Sequence, residues 1–181
     1  MIQVAAELAD AAGGEVTLAA LAARLGVRPP SLYNHVAGQE ELRRELALLG
    51  LRDLAARLAR AAAGKAADAA IVAAARAYRD FAREHPGLYA ATLRAPPTGD
   101  LAVRTAAEEI LAVLGAVLAA YDLRDDAAIH AIRGLRSLLH GFVALEAVGG
   151  FGIPLDLDES FDRALRVFIA GLRQSSKPAG S

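Results

Sequence analysis

The sequence predicts an all-α protein, with an N-terminal three-helix helix-turn-helix head and a larger helical body behind it. Three observations carry that expectation. Of the 181 residues, 55 % are apolar, and Ala and Leu, the strongest helix formers, dominate them. Apolar positions recur at helical spacing, and no stretch alternates apolar and polar residues between turn formers as a half-buried strand would. Glycine and proline gather at the ends of the periodic stretches, where helices stop.

The first helix covers Ile2 to Ala12, with Val4, Leu8 and Ala11 or Ala12 facing inward, and Gly13-Gly14 stops it. Thr17 has the hydroxyl to cap a second helix that runs to Leu25, with Leu18, Leu21, Ala22 and Leu25 as its apolar face. Gly26 ends it, Val27 follows as an apolar plug, and Pro29-Pro30-Ser31 opens a short third helix carrying Leu32, Tyr33 and Val36. After the break at Ala37-Gly38, a longer fourth helix runs from Gln39 to Ala63, its inward stripe beginning with Leu42, Leu46 and Leu49. A fifth runs from Ala66 to His85, ended by Pro86, and a short sixth lies within Gly87 to Leu93. Ala95-Pro96-Pro97-Thr98-Gly99 reads as a loop. The seventh helix runs to Tyr121, the eighth from Asp125 to Val148, and the ninth from Asp158 to Leu172. The expected division is a head in residues 1–45, a ligand-binding and dimerisation body in residues 46–175, and a flexible tail in residues 176–181.

Composition excludes several classes. There is no cysteine, so no disulfide, thiolate zinc site or iron–sulfur cluster can form, which fits a cytoplasmic protein. The N-terminal MIQVAAELAD has no basic region and acquires Glu7 and Asp10 at once, unlike a signal peptide. The longest uncharged apolar run, Ile110 to Tyr121, falls short of the ~20 residues that cross a bilayer, so no membrane is expected. The net charge of −1 does not advertise nucleic-acid binding, so any such binding rests on a local surface.

That surface is legible in residues Thr17 to Gln39. Two short helices joined by a tight Gly26-Val27 turn have the geometry of a helix-turn-helix, the second helix presenting a polar tip to the major groove. The tip offers Arg28, Pro30, Ser31, Tyr33, Asn34 and His35. Arg reads guanine, Asn reads adenine, and hydroxyls suit phosphate oxygens. A blander reading stands beside this one: helix pairs with a glycine turn are common in all-α proteins, with Tyr33 half core, Asn34 a cap and His35 solvated or at the core edge.

The stretch LAARLGVRPPSLYNHV, followed by AGQEEL, resembles the DNA-binding head of the TetR family of regulators. Leu21-Ala22, Gly26-Val27 and Ser31-Leu32-Tyr33-Asn34-His35-Val36 match the family pattern in order and spacing. The resemblance implies DNA-facing positions at Arg28, Pro29, Pro30, Ser31, Tyr33, Asn34 and His35, and phosphate contacts at Thr17 and Gln39. Three departures accompany it. Gln39 stands where the family usually has Lys. The chain begins almost on the first helix, without the basic arm common in the family. Met1–Gly38 holds Arg24 and Arg28 against Glu7, Asp10 and Glu15, a net of −1. Either a native N-terminus lies upstream or specificity rests mainly on base contacts, and affinity driven by counterion release is expected to be weak.

The body, with HPGLYAATLRAPP and the stretch from Asp125 to Leu165, resembles the TetR C-terminal subfamily named for a Trp-His-Gly motif, here Leu139-His140-Gly141. The resemblance implies a four-helix dimer seam formed by the last two helices. Phe161, Leu165, Phe168 and Leu172 are expected at that seam, because a lone chain would expose them. A stripe of small residues on the eighth helix (Gly134, Ser137, Gly141, Ala144, Val148) suits either internal packing or the same seam. An effector pocket is expected from Tyr78, Phe81 and Tyr89, faced by Leu111, Leu114 and Leu118 and by Arg136, Leu139, His140 and Val143, an apolar lining with two polar anchors. A filled core without a cavity is the plain alternative.

No catalytic constellation, cofactor motif or metal-ligand spacing is visible. The reading is therefore a homodimeric transcription regulator that binds double-stranded operator DNA, a repressor released by a small hydrophobic effector. The alternatives are an activator, or a helical ligand-binding protein or bundle enzyme whose head is only structural.

Overall fold

The structure, a computed structural model, describes residues 1–94, 99–123 and 125–175. Its elements are α1 (Ile2–Ala12), α2 (Leu18–Leu25), α3 (Pro29–Leu32), α4 (Gln39–Ala62), α5 (Ala67–Glu84), α6 (Pro86–Thr92), α7 (Leu101–Leu118) with a 3-10 turn at Ala119–Tyr121, α8 (Asp125–Ala147) and α9 (Leu157–Ser175). No strand occurs among the described residues. The fold is all-α, and helix ends fall where glycine, proline and capping residues placed them. The loop expected at Ala95–Gly99, apart from Gly99, and the tail expected at residues 176–181 lie outside the described residues.

The chain forms two compact units that interleave along the sequence instead of dividing near residue 45. The first joins Met1–Ala56 to Phe81–Ile110, and the second joins Arg57–Asp80 to the chain from Leu111 onward. The reason lies in the first unit. Ala5, Ala6 and Ala9 form the buried face of α1, and α6 packs closely along α1. At the crossing there is no room for a side chain: a Cβ on Gly87 would stand 2.1 Å from the Ala9 carbonyl carbon. Asp10 locks this approach. One carboxylate oxygen accepts from the Gly87 and Leu88 amides, both at 3.0 Å, and the other lies 2.8 Å from His85 Nδ1. His85, at the N-cap of α6, makes no side-chain cap bond. Asp10 therefore caps α6 from a remote helix, satisfying amides that have no partner within the helix. On α4, Gly50 meets α6 again: a Cβ there would stand 2.9 Å from the Leu88 carbonyl oxygen and from Thr92.

The second unit is built around Arg79, only 6 % exposed. Its guanidinium donates to both oxygens of Glu146, at 2.8 and 2.6 Å, and to Asp158 at 2.8 Å. It also lies over the rings of Phe142 and Phe161. The Glu146 hydrogen bonds, above all, raise its pKa beyond the ordinary arginine value and keep it charged despite burial.

The same unit bears on the expected dimer seam. Phe161, Leu165 and Leu172 are 1 %, 0 % and 6 % exposed within the single chain, and Phe168 is half-buried with its ring against Gly134 of α8. Periodicity located a buried stripe on α9 correctly. Phe161, Leu165 and Leu172 are thus buried within one chain, while Phe168 stays half-buried against α8.

Gly87→Ala tests the α1–α6 crossing. Backbone cannot yield as a flexible side chain does, so the substitution should destabilise the protein by about 3 kcal/mol, the upper part of the usual overpacking range. Urea unfolding against the wild type checks this, and an unchanged midpoint would contradict the close approach.

Candidate nucleic-acid interface

The turn between α2 and α3 is fixed by backbone chemistry. Gly26 adopts a left-handed conformation, φ 68°, which glycine takes without a Cβ clash. Its amide donates to the Ala23 carbonyl, and the Val27 amide reaches back to Ala22 at 3.0 Å, closing a Schellman motif. The chain then extends through Arg28 and enters α3 on Pro29, which has no amide hydrogen to leave unpaired. α3 holds a single turn, and Tyr33 to His35 continue as tight turns, with His35 and Val36 amides both donating to Leu32.

Leu32 and Val36 are buried, at 2 % and 3 %, and with Leu21 and Ala22 they anchor the motif. Arg28, Pro29, Pro30, Ser31, Tyr33, Asn34 and His35 are all exposed, Tyr33 at 61 %. The sequence pattern therefore splits cleanly into two apolar anchors and seven outward-facing groups of the chemistry that reads base edges and phosphates.

Thr17 and Gln39 are placed differently. The Thr17 hydroxyl accepts from the Ala20 amide at 3.1 Å, a direct N-cap of α2. Gln39 ties α4 to the start of α2: its Oε1 accepts from the Leu18 amide at 3.1 Å, and its Nε2 donates to the Val16 carbonyl at 2.7 Å. Both ends of that amide are engaged inside the unit, which leaves the second Nε2 hydrogen as the donor for any phosphate contact. A lysine here could donate to Val16 but could not accept from Leu18.

Two of the head's three carboxylates are paired, Asp10 half-buried and Glu15 at the surface. Asp10 caps α6, and Glu15 holds Arg43 and Arg94, each at 2.9 Å. Neither contact was legible in the sequence, since the partners lie far along the chain. The adjacent His85, Pro86 and Gly87 gave the one local signal, a helix boundary with a residue that has no side chain.

The ten residues expected to line an effector pocket do not share one environment. Tyr78, Phe81, Tyr89, Leu114, Leu118, Leu139 and Val143 are buried, whereas Leu111, Arg136 and His140 are exposed. The buried face of α8 is Ile132, Leu135, Leu139 and Val143, and the two expected polar anchors point off it. Among the described residues, the cavities of about 490 and 400 Å³ are lined by none of the ten. One, of about 490 Å³, lies in the first unit among α1, α4, α6 and the start of α7. The other, of about 400 Å³, is lined mainly by alanines of α4, α5 and α7 in the second unit. No helix among the described residues is long and apolar enough to cross a membrane, and no cluster of three His, Asp or Glu among them has the arrangement of a metal site.

Comparison with known proteins bears on both halves of the chain. Residues 71–168 match the family model described as Tetracyclin repressor-like, C-terminal domain, a description that does not carry the Trp-His-Gly name. The uncharacterized HTH-type transcriptional regulator YobS of Bacillus subtilis (strain 168) is 40 % identical over 179 residues, 98 % of this chain and 93 % of that protein. The uncharacterized HTH-type transcriptional regulator Rv0681 of Mycobacterium tuberculosis (strain H37Rv) is 39 % identical over 167 residues, 92 % of this chain and 76 % of that protein. Among solved structures, the protein SCO4313 superposes with a TM-score of 0.73 at 28 % identity, covering 93 % of this chain and 96 % of that one. A protein of unknown function from Rhodococcus sp. RHA1 gives 0.74 at 28 % identity over 88 % and 86 %.

Gln39→Met removes both bonds that tie α4 to the start of α2 while keeping the bulk of the side chain. It should lower stability by about 1–3 kcal/mol and speed hydrogen exchange at the Leu18 amide. Unaltered exchange there would mean that the staple does not hold α2.

Proposed function

We propose, from the premise that the chain belongs to the tetracyclin repressor-like (TetR) family of helix-turn-helix transcription regulators, that it is a homodimeric operator-binding repressor released by a small, mostly hydrophobic effector. The observation that carries the DNA-binding part is the arrangement at α3: Leu32 and Val36 anchored in the core, with Arg28 to Ser31 and Tyr33 to His35 presented outward. A convex tip of that size enters a major groove about 12 Å wide. With few cations on the head, recognition depends on base-edge contacts more than on counterion release. The protein acts in the cytoplasm, catalyses no reaction and needs no cofactor. Its effector shifts the population toward a spacing of heads that does not fit successive grooves.

The dimer seam moves from the buried stripe of α9 to the faces of α8 and α9 left exposed. On α8, Ser137, Ala144 and Val148 are exposed and Gly141 half-exposed along one helical face. On α9, Val167 is 74 % exposed, with Ala164 and Gly171 on the same face at intervals of three and four. Small side chains with a few valines permit close helix approach, which suits a seam between two copies.

A gel shift against DNA flanking the protein's own gene tests the first part. Tyr33→Ala and Asn34→Ala should each weaken operator binding by about 1–3 kcal/mol with the fold intact, and the affinity should fall only shallowly with salt. Unchanged affinity in both variants would remove the assignment. Val167→Glu should convert a dimer into monomers by light scattering and abolish operator binding, since two half-sites need two heads. A dimer that persists would place the seam elsewhere.

A further inference from the structure

The cavity of about 490 Å³ in the first unit touches the segment that leads into α2 and is distinct from the pocket expected in the body. Its volume falls within the ~300–1,000 Å³ of sites that hold small organic ligands. Most of its lining is apolar, including Ala9, Val16, Leu46, Ala47, Leu51 and Val103. Charge is contributed by Arg43, Arg44 and Arg94 against Glu15 and Glu40. Arg44 is occupied elsewhere, by Asp100 at 2.6 Å and Glu45 at 2.7 Å. Arg43 and Arg94 share a single carboxylate: Glu15 accepts from the Nη2 of each at 2.9 Å, one oxygen apiece.

That sharing leaves Arg43 incompletely used. Its Nη1 donates to Glu40 and its Nη2 to Glu15, while Nε is buried with no hydrogen-bond partner. Nε and Nη2 together form the edge of guanidinium that fits both oxygens of one carboxylate. Glu15 cannot fill that edge while its second oxygen is held by Arg94.

We propose that this cavity binds a small amphipathic carboxylate, an acyl or aryl acid, whose headgroup takes the Nε–Nη2 edge of Arg43 in place of Glu15 and whose apolar part lies on the alanine and leucine floor. Occupation parts Glu15 from Arg43, leaving it on Arg94, and so loosens the connection that runs through Val16, held by Gln39, to Thr17, the cap of α2. Ligand and operator thus oppose one another, and the coupling is reciprocal. Binding itself stands without the repressor reading; its effect on DNA rests on that reading.

Calorimetric titration of the full chain with decanoate, below its micelle concentration, tests the site. Decanoate should bind at least about tenfold more tightly than decanol, and Arg43→Lys, which keeps the charge but loses the two-pronged edge, should weaken it by about tenfold. Ala47→Phe, or Ala91→Leu should that variant not fold, should abolish binding by filling the cavity. Glu15→Gln should tighten binding severalfold, and more than Glu40→Gln does, because only Glu15 competes for the Nε–Nη2 edge. In gel shifts, saturating decanoate should weaken operator binding, and Glu15→Gln should weaken it with no ligand present. Equal decanoate affinity in the wild type, Arg43→Lys and the cavity-filling variant, or no binding at all, would overturn the site. Binding at the cavity with unchanged operator affinity would overturn the coupling. Failure of the unliganded wild type to bind its operator would instead overturn the repressor reading, with the calorimetry still deciding the site.

Discussion

Where α1 crosses α6, two backbones meet with nothing between them. Gly87 lies so near Ala9 that no side chain fits, and Asp10 supplies the hydrogen bonds that the first turn of α6 lacks. A helix of seven residues has too few internal bonds to be stable alone. Here α6 is held on α1 through Gly87 and on α4 through Leu88 and Thr92. The placement of α1 fixes the chain that follows it, and Gln39 fixes the start of α2 from α4. The presentation of Arg28 to His35 therefore depends on contacts made by residues outside the presented segment.

The head's unfavourable charge balance takes on a different meaning in three dimensions. A formal count of residues 1–38 gives two cations against three carboxylates, which argues against a polyanion as partner. Two of those carboxylates, Asp10 and Glu15, face donors brought from residues 43, 85, 87, 88 and 94. Arg24 and Arg28 stay exposed. The head is accordingly less acidic in effect than its sequence segment, although it remains sparsely basic.

Much of the fold was legible because its signals are local. The Gly13 and Gly26 stops, the Thr17 cap and the Pro29 start act within a few residues, and the structure uses each as such. The exposed set, Arg28 to Ser31 and Tyr33 to His35, was legible too, since Leu32 and Val36 at a spacing of four declare which side is buried. Two kinds of information were out of reach. Phase was one: successive residues on a helix are about 100° apart, so Arg136 and His140 sit beside the buried Leu135, Leu139 and Val143 in sequence yet face out, as Leu111 does on α7. The identity of a covering surface was the other. An apolar stripe such as Phe161, Leu165 and Leu172 demands burial but does not say whether its own chain or a second one provides it. The Asp10–α6 contact was unreadable for a related reason, since its partners are more than seventy residues apart.

The interleaving of the two units bears on how such regulators can be recombined. A chimera that joins residues 1–45 of this chain to the body of a relative would cut α1 away from residues 81–110, which fold with it. The donor head would arrive without its own α6, and the recipient's α6 would have to offer a glycine opposite Ala9 and amides within reach of Asp10. Exchange of segments between relatives is thus restricted to the residues displayed around α3, or else must carry both sequence segments together. The same restriction acts on evolution: the surface displayed around α3 is free to drift one side chain at a time, while the frame beneath it can be inherited only as a matched pair.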